Sequence, residues 1–346
     1  MRGQNLSVLD ALVAQLKAGQ TIYLATVIET WGASPRPAGS LLAYAPVMDT
    51  VYGSLSGGCV EDALLRDLHS NSLTTPLPAS DACWPQLRRF GEDADGLDLP
   101  CGAVLELLIE KLTPSTENIA HFERLLCTLV NRSSLLREVT LSNGAMRLIP
   151  VSANAWGDSV IKRNTKLMTH KYELQSRLLV VGAGDVSRYL IPLAQSADFA
   201  VTLCEPRKDV LRRQANNYDC QIMTDCLPDD LVLNEFANES CAVVAVAHDP
   251  RVDDLALLAA LQKNCFYVGA MGSARNSEKR RRRLADLGLS NEHLSRLFAP
   301  IGIEISSRTP AEIAISIVAQ LITERAKAAG RFALNQTFKD RQFFND

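Results

Sequence analysis

One stretch in the second half of the chain restricts the possible folds more than any other. Arg177-Leu-Leu-Val-Val-Gly-Ala-Gly184 is an apolar run stopped by a glycine turn; a helical pattern follows from Asp185 to Ser196, then a second apolar run, Val201-Thr-Leu-Cys-Glu-Pro-Arg207. An apolar run too short for a helix and bounded by glycine reads as a strand buried on both faces. Similar runs at 221–223, 241–247 and 265–269 alternate with helical patterns at 252–263 and 276–287. Such alternation predicts a parallel, doubly wound, Rossmann-like sheet. Ligands of such sheets gather at the carboxyl edge, so Gly182 and Gly184, with Gly269 and Gly272 in Gly269-Ala-Met-Gly-Ser273, are candidate contacts. Glu205 stands about 20 residues beyond the turn, where such a fold would hold a ribose. Ser187 replaces the third glycine of the dinucleotide fingerprint, and Asp185 sets a carboxylate near the pyrophosphate position. Both weaken the case for NAD(P). His248, ending an apparent strand, is either an acid–base group or a loop cap. The basic run 279–283 reads first as a solvated helix face, with phosphate neutralisation or an acidic partner as alternatives.

The first half has a different character. Ser7 and Asp10 resemble a capping box opening an amphipathic helix, and Thr21–Ile28 is a β-branched strand. Strands at 41–44 and 51–55 follow, Ser70–Asp98 reads as a long polar surface excursion, and 103–109 is again a strand. The expected organisation is an α+β domain over 1–115, a connecting region over 116–175 able to pack on either neighbour, the Rossmann-like domain over 176–328, and a tail over 329–346. With 346 residues, 47% hydrophobic, the chain suits two domains at about 150 residues each. A net charge of −3 argues against a globally basic nucleic-acid binder. No apolar run approaches the roughly 18 residues of a membrane span, and the N-terminal stretch reads as a helix instead of a secretory signal. A cytoplasmic location is expected. Nine cysteines without a Cys-x-x-Cys pair predict neither a zinc ribbon nor a disulfide framework, so most should be small core residues.

The segment Gly53-Ser-Leu-Ser-Gly-Gly-Cys-Val-Glu-Asp62 runs into a helical pattern. Gly57 and Gly58 allow close approach of a ligand, and Cys59 falls at the helix start, where N–H groups and the macrodipole favour an anion. A thiol there has a lowered pKa and can serve as a nucleophile or soft ligand; the bland alternative is a tight turn with a space-filling cysteine. Arg36 is displayed between Pro35 and Pro37, which stiffen its loop. Cys101, at the Pro-Cys-Gly junction where the chain enters a strand, either faces the same pocket or is a buried strand-edge residue.

Taken together, Gly32-Ala-Ser-Pro-Arg-Pro-Ala-Gly39, Gly53-Ser-Leu-Ser-Gly-Gly-Cys-Val-Glu61, Leu99-Pro-Cys-Gly102, Val181-Gly-Ala-Gly184, Val268-Gly-Ala-Met-Gly-Ser273, and Pro300-Ile-Gly-Ile-Glu304 with Thr309-Pro-Ala-Glu312 resemble the XdhC/CoxI family of xanthine dehydrogenase accessory proteins. The motifs occur in family order over about residues 10 to 325. The resemblance implies a non-catalytic chaperone that binds the molybdenum cofactor, a molybdopterin in mono- or dinucleotide form. It would protect the cofactor during sulfuration, with a cysteine desulfurase as partner, and deliver it to a molybdenum hydroxylase. It assigns the motif cysteines to Cys59, as cofactor contact and soft metal ligand or sulfur relay, and to Cys101. The chain departs from the family pattern at Asp185, where histidine is usual, and at Ala103, where a second glycine is usual. The cofactor is expected between the two halves, with a homodimer left open. The alternatives are an NAD(P)-dependent oxidoreductase using His248, and a scaffold that recruits the desulfurase without holding cofactor.

Overall fold

The computed structural model describes residues 2–31, 36–69, 84–91, 104–131, 133–151, 161–172, 175–214 and 218–329. Packing divides the chain into two compact units, the first ending at Leu174 and the second beginning at Gln175.

The second unit is built on β10 (Ser176–Val181), β11 (Phe199–Cys204), β12 (Gln221–Met223), β13 (Cys241–Ala245), β14 (Tyr267–Ala270) and β15 (Leu297–Phe298). They form one sheet in the order β12-β11-β10-β13-β14-β15, every pair parallel. This is the strand order of a Rossmann sheet, with its switch point between β10 and β13. Alternation along β10 shows how both faces are covered. Leu178 and Val180 pack with α4 (Asp185–Ser196) and α10 (Pro310–Ala328), while Leu179 and Val181 pack with α6 (Pro228–Glu235), α7 (Pro250–Leu261) and α8 (Ala274–Asp286). Each such leucine or valine contributes about 1.5–3 kcal/mol by leaving water. Two short helices, α5 (Lys208–Gln214) and α9 (Asn291–Ser295), complete the unit. Cys204, Cys241 and Cys265 are buried core residues, as expected of most of the thiols.

The first unit is antiparallel. Its five-stranded sheet has the order β3-β2-β1-β5-β4, from β1 (Ile22–Trp31), β2 (Leu41–Ala45), β3 (Thr50–Gly53), β4 (Gln86–Phe90) and β5 (Val104–Leu112). Helices α1 (Arg2–Lys17) and α3 (Thr116–Val130) cover one face through Leu9, Leu12, Phe122 and Leu125; α2 (Cys59–His69) covers the other through Val60, Ala63 and Leu64. A second, four-stranded sheet, β7-β6-β9-β8, uses β6 (Leu135–Thr140), β7 (Met146–Pro150), β8 (Ile161–Arg163) and β9 (Leu167–Tyr172). Leu135 and Tyr172 share a core with Leu12 and Leu16, so the described part of the connecting region packs within this unit. Across the two sheets Arg137 donates to both oxygens of Glu110, at 2.9 and 2.7 Å, and both side chains are buried.

Three expectations are corrected. Helix α1 begins well before Ser7, whose hydroxyl donates to the Gly3 carbonyl one turn back and so caps nothing. The excursion 70–98 contains strand β4, which Arg88 and Arg89 disguise as loop; Arg89 stacks over the Trp31 ring at 4.9 Å. The basic run is not a solvated face throughout. Arg280 is buried against Asp253 and Asp254, and Arg281 donates to the carbonyls of Leu294 and Leu297.

Candidate functional site

In the first unit the turn before α2 is organised by one carboxylate. Gly57 and Gly58 take φ of +93° and +155°, and the backbone curls over residues 54–58. Glu61 Oε1 accepts from the N–H groups of Leu55, Ser56 and Gly57 at 2.8–2.9 Å and from the Ser54 hydroxyl at 2.8 Å. Its Oε2 accepts from the Gly58 N–H at 2.7 Å and the Ser56 hydroxyl at 2.5 Å. Burial alone would raise the Glu61 carboxyl, but these hydrogen bonds outweigh it and hold it well below the usual carboxylate range. Leu55 anchors the turn in the core beside Val60 and Leu64.

Cys59 is therefore delivered as the first residue of α2 from a turn held by its own helix. No described atom lies within 4 Å of where a Cβ would stand on Gly57 or Gly58, so the turn is open on that side. The donors expected to meet an external anion here are, over residues 55–58, already occupied by Glu61. Of the other candidates in this unit, Arg36 is half-buried, and Cys101 lies outside the described residues.

In the second unit the carboxyl edge brings Gly182, Gly184 and Glu205 together. Gly182 has φ +105°, and a Cβ there would stand 2.3 Å from the Ala247 Cα, so only glycine lets the ends of β10 and β13 approach. Gly184 caps α4 with open space beyond it, and Asp185 begins the helix exposed. Ser187 is buried and donates to the Gly182 carbonyl at 2.5 Å. The Glu205 carboxylate is fully buried, accepting from the Ala183 N–H at 2.9 Å and from the backbone N–H, Nε and Nη2 of Arg207 at 2.8–3.0 Å. It braces the glycine turn, with protein donors where a ribose would bind.

Gly269 is packed on the side chains of Ile301 and Tyr267, with no room for a Cβ, whereas Gly272 lies just beyond β14 in φ +159° backbone. The turn at Gly272 is tied down by Arg280, which donates to the Met271 carbonyl at 2.9 Å, to Asp253 at 3.0 Å and to Asp254 at 3.1 Å. Asp253 in turn accepts from the Ala247 N–H at 3.0 Å. Burial pushes the Asp253 carboxyl up to about 6 against the opposing pull of Arg280 and that N–H. His248 is exposed with φ +58°. Among the described residues no group of three or more His, Cys, Asp or Glu could hold a metal ion, and no helix is long and apolar enough to cross a membrane.

Sequence reasoning passed over Glu61, Arg207 and the Asp253–Asp254 pair. Glu61 stands three residues after the helix-capping Gly58, the spacing of a capping box, so its signal was present. Arg207 and the aspartates carry no comparable local mark.

An antiparallel, cysteine-bearing α+β unit followed by a Rossmann unit defines the class: a two-unit α/β protein. A family profile described as the XdhC and CoxI family matches residues 15–71, and one described as the XdhC Rossmann domain matches residues 178–321. The chain belongs to the XdhC/CoxI family. It is 24% identical to a Bacillus subtilis protein named as a probable xanthine dehydrogenase subunit, over 93% of this chain and 98% of that one. It is 25% identical to the molybdenum cofactor insertion chaperone PaoD of Escherichia coli, over 92% and 88%. A crystal structure from Bacillus halodurans, described as a xanthine dehydrogenase, shares the fold with a TM-score of 0.69 at 23% identity, over 92% of this chain and 95% of that one.

Proposed function

We propose that this protein is a maturation factor and not an enzyme. It binds the molybdenum cofactor as cargo, protects it while a sulfido ligand is installed, and delivers it to the apo-form of a xanthine dehydrogenase- or aldehyde oxidase-type molybdenum hydroxylase. A cysteine desulfurase supplies the sulfur, and the exchange takes place in the cytoplasm. Family membership and the chaperone name of the Escherichia coli relative support the maturation role.

The observation that carries the reading is the position of Cys59, first in α2 and preceded by the open Gly57–Gly58 turn that Glu61 fixes. A cysteine so placed is a soft donor suited to a metal centre or to sulfur relay. Arg36 offers a guanidinium for the cofactor phosphate. Cys101 enters on the family motif, and Gly182, Gly184, Gly269 and Gly272 on their place at the carboxyl edge. Glu205 acts there by holding the turn. With that carboxylate engaged by Ala183 and Arg207, the NAD(P)-oxidoreductase reading loses its ribose anchor.

The test is cofactor content after anaerobic purification, with Cys59→Ala as the variant. The variant should keep its circular dichroism and lose both cofactor retention and client activation. A fully active, sulfurated client matured by Cys59→Ala would overturn the assignment. Steady-state NAD(P)H oxidation by the purified protein, lost on His248→Ala, would favour the oxidoreductase.

A further inference from the structure

The basic run 279–283 of α8 is only partly absorbed by the fold. Arg280 and Arg281 turn inward, while Lys279 and Arg282 are exposed and Arg283 is half-buried. Past the run, Gly288 takes φ +97° and the Leu289 N–H donates back to the Leu284 carbonyl at 3.2 Å. Leu289 is buried, so it is this residue that returns the chain to the core. Leu287 stays outside, 57% exposed. Together with Pro250 and Leu255 of α7 it lines a groove of about 480 Å³ whose surface is mostly apolar. Leu255 is itself 36% exposed. Ligand sites typically measure roughly 300–1,000 Å³, so the groove is large enough to seat a bulky side chain.

The charged lining indicates what the occupant carries. Asp254 is engaged by Arg280 Nε at 3.1 Å and by Arg283 Nε at 2.7 Å. Arg283 thereby keeps both Nη groups without an acceptor among the described residues. Arg251 holds Asp249 through Nε and Nη2 and keeps its Nη1. Arg275 and Lys279 precede Arg283 at four-residue spacing and so share its face of α8. Both are exposed and make no ion pair among the described residues. Against these cations stands Asp286, the one groove carboxylate without an ion pair among the described residues. The face is thus locally basic on a chain of net charge −3. A bare phosphate would leave Leu255 and Leu287 in water, and a purely apolar group would strip water from the Arg283 guanidinium with nothing in exchange. We propose that the α7–α8 groove docks an acidic segment of a partner protein, which seats one large apolar side chain against Leu255 and Leu287 and sets carboxylates on Arg283, Lys279 and Arg275. The basic stripe speeds encounter, and the apolar anchor sets the lifetime of the complex. The site lies wholly within the second unit and uses neither Cys59 nor the glycine turns, so it stands apart from the cofactor reading.

Peptides selected from a random phage-displayed library on the full chain, then measured singly by fluorescence anisotropy, test this. Enriched sequences should set a leucine, phenylalanine or tryptophan beside aspartate or glutamate. Leu255→Ser/Leu287→Ser should weaken the best peptide by at least about tenfold. Lys279→Glu should weaken it by about threefold, and replacing one peptide carboxylate by lysine should restore the affinity of that variant. An unchanged circular dichroism spectrum certifies the fold, and Leu287→Ser alone carries the test if the double variant unfolds. Failure to enrich, enrichment without acidic residues, or affinity indifferent to the leucine variants would overturn the proposal. Displacement of the peptide by inorganic phosphate or by a single-stranded oligonucleotide at equal charge would give the stripe to phosphate and overturn it equally.

Discussion

Replacing Glu61 by glutamine measures how far the cysteine turn depends on a single carboxylate. The side chain receives four backbone N–H groups and two hydroxyls, divided between its oxygens. Glutamine with its carbonyl in the Oε1 position keeps the bonds from Ser54, Leu55, Ser56 and Gly57. It turns an NH2 toward the Gly58 N–H and removes the charge from every bond. A charge-assisted hydrogen bond contributes about 1.5–3 kcal/mol net, but water reaches this half-buried turn and screens part of the loss, leaving about 1.5–2.5 kcal/mol. Amide exchange of residues 55–58 should accelerate by about ten- to sixty-fold, since 1.4 kcal/mol is about tenfold. The pH dependence follows from the depressed carboxyl. Its contribution is present in full above the ordinary glutamate value near 4.3 and is lost as pH falls through the lower folded value. Protection of the turn should therefore fall with acid in the unaltered protein and stay flat in Glu61→Gln. Exchange at 55–58 within twofold of the unaltered chain would refute the reasoning.

The pair of Arg137 and Glu110 is fully buried, so Glu110→Leu alone should cost about 3–5 kcal/mol in urea unfolding, most of it recovered in Glu110→Leu/Arg137→Met. Burial first, and then the nearby Arg137, push His121 and His170 down to about 3, below the ordinary histidine value. Depressed groups stabilise above their unfolded value, so the melting temperature should drop as pH falls from about 6.5 toward 3, and less so in His170→Phe. Gly182→Ala forces a Cβ onto the Ala247 backbone in positive-φ geometry; a loss above about 3 kcal/mol, or failure to accumulate folded protein, is expected in thermal unfolding.

Legibility from sequence tracked how local the determining physics was. The Rossmann strands announced themselves because a strand buried on both faces must be continuously apolar, as Leu178 to Val181 are. Strand β4 did not, because at the sheet edge only part of it is buried and Arg88 and Arg89 dominate its composition. Strand β15, two residues long, has no period to read. The run 279–283 looked solvated because its partners Asp253 and Asp254 lie more than twenty residues away on another helix. At the cysteine turn the motif was visible and its glycines correctly marked an unusual backbone. What occupies the amides was decided by Glu61, a residue the motif itself contains.

The two glycine turns share a construction that the anion-site rule alone misses. Consecutive N–H groups at a helix start attract negative charge, and in both units the charge nearest to hand belongs to the chain. Glu61 takes the amides of 55–58 before α2, and Glu205 takes the Ala183 amide before α4. Each carboxylate fixes its turn from within its own unit. It also changes what can supply specificity. At the turn before α2 an incoming phosphate would have to displace a carboxylate tethered a few residues away and held by six donors, against which a free anion competes poorly. Under the proposed function, recognition would then fall to groups outside these clamps, Cys59 and Arg36 in the first unit and the Gly184 helix start in the second. A Ser-Gly-Gly-Cys turn followed two residues later by glutamate thus carries its own anion, and its glycines open the backbone to that carboxylate.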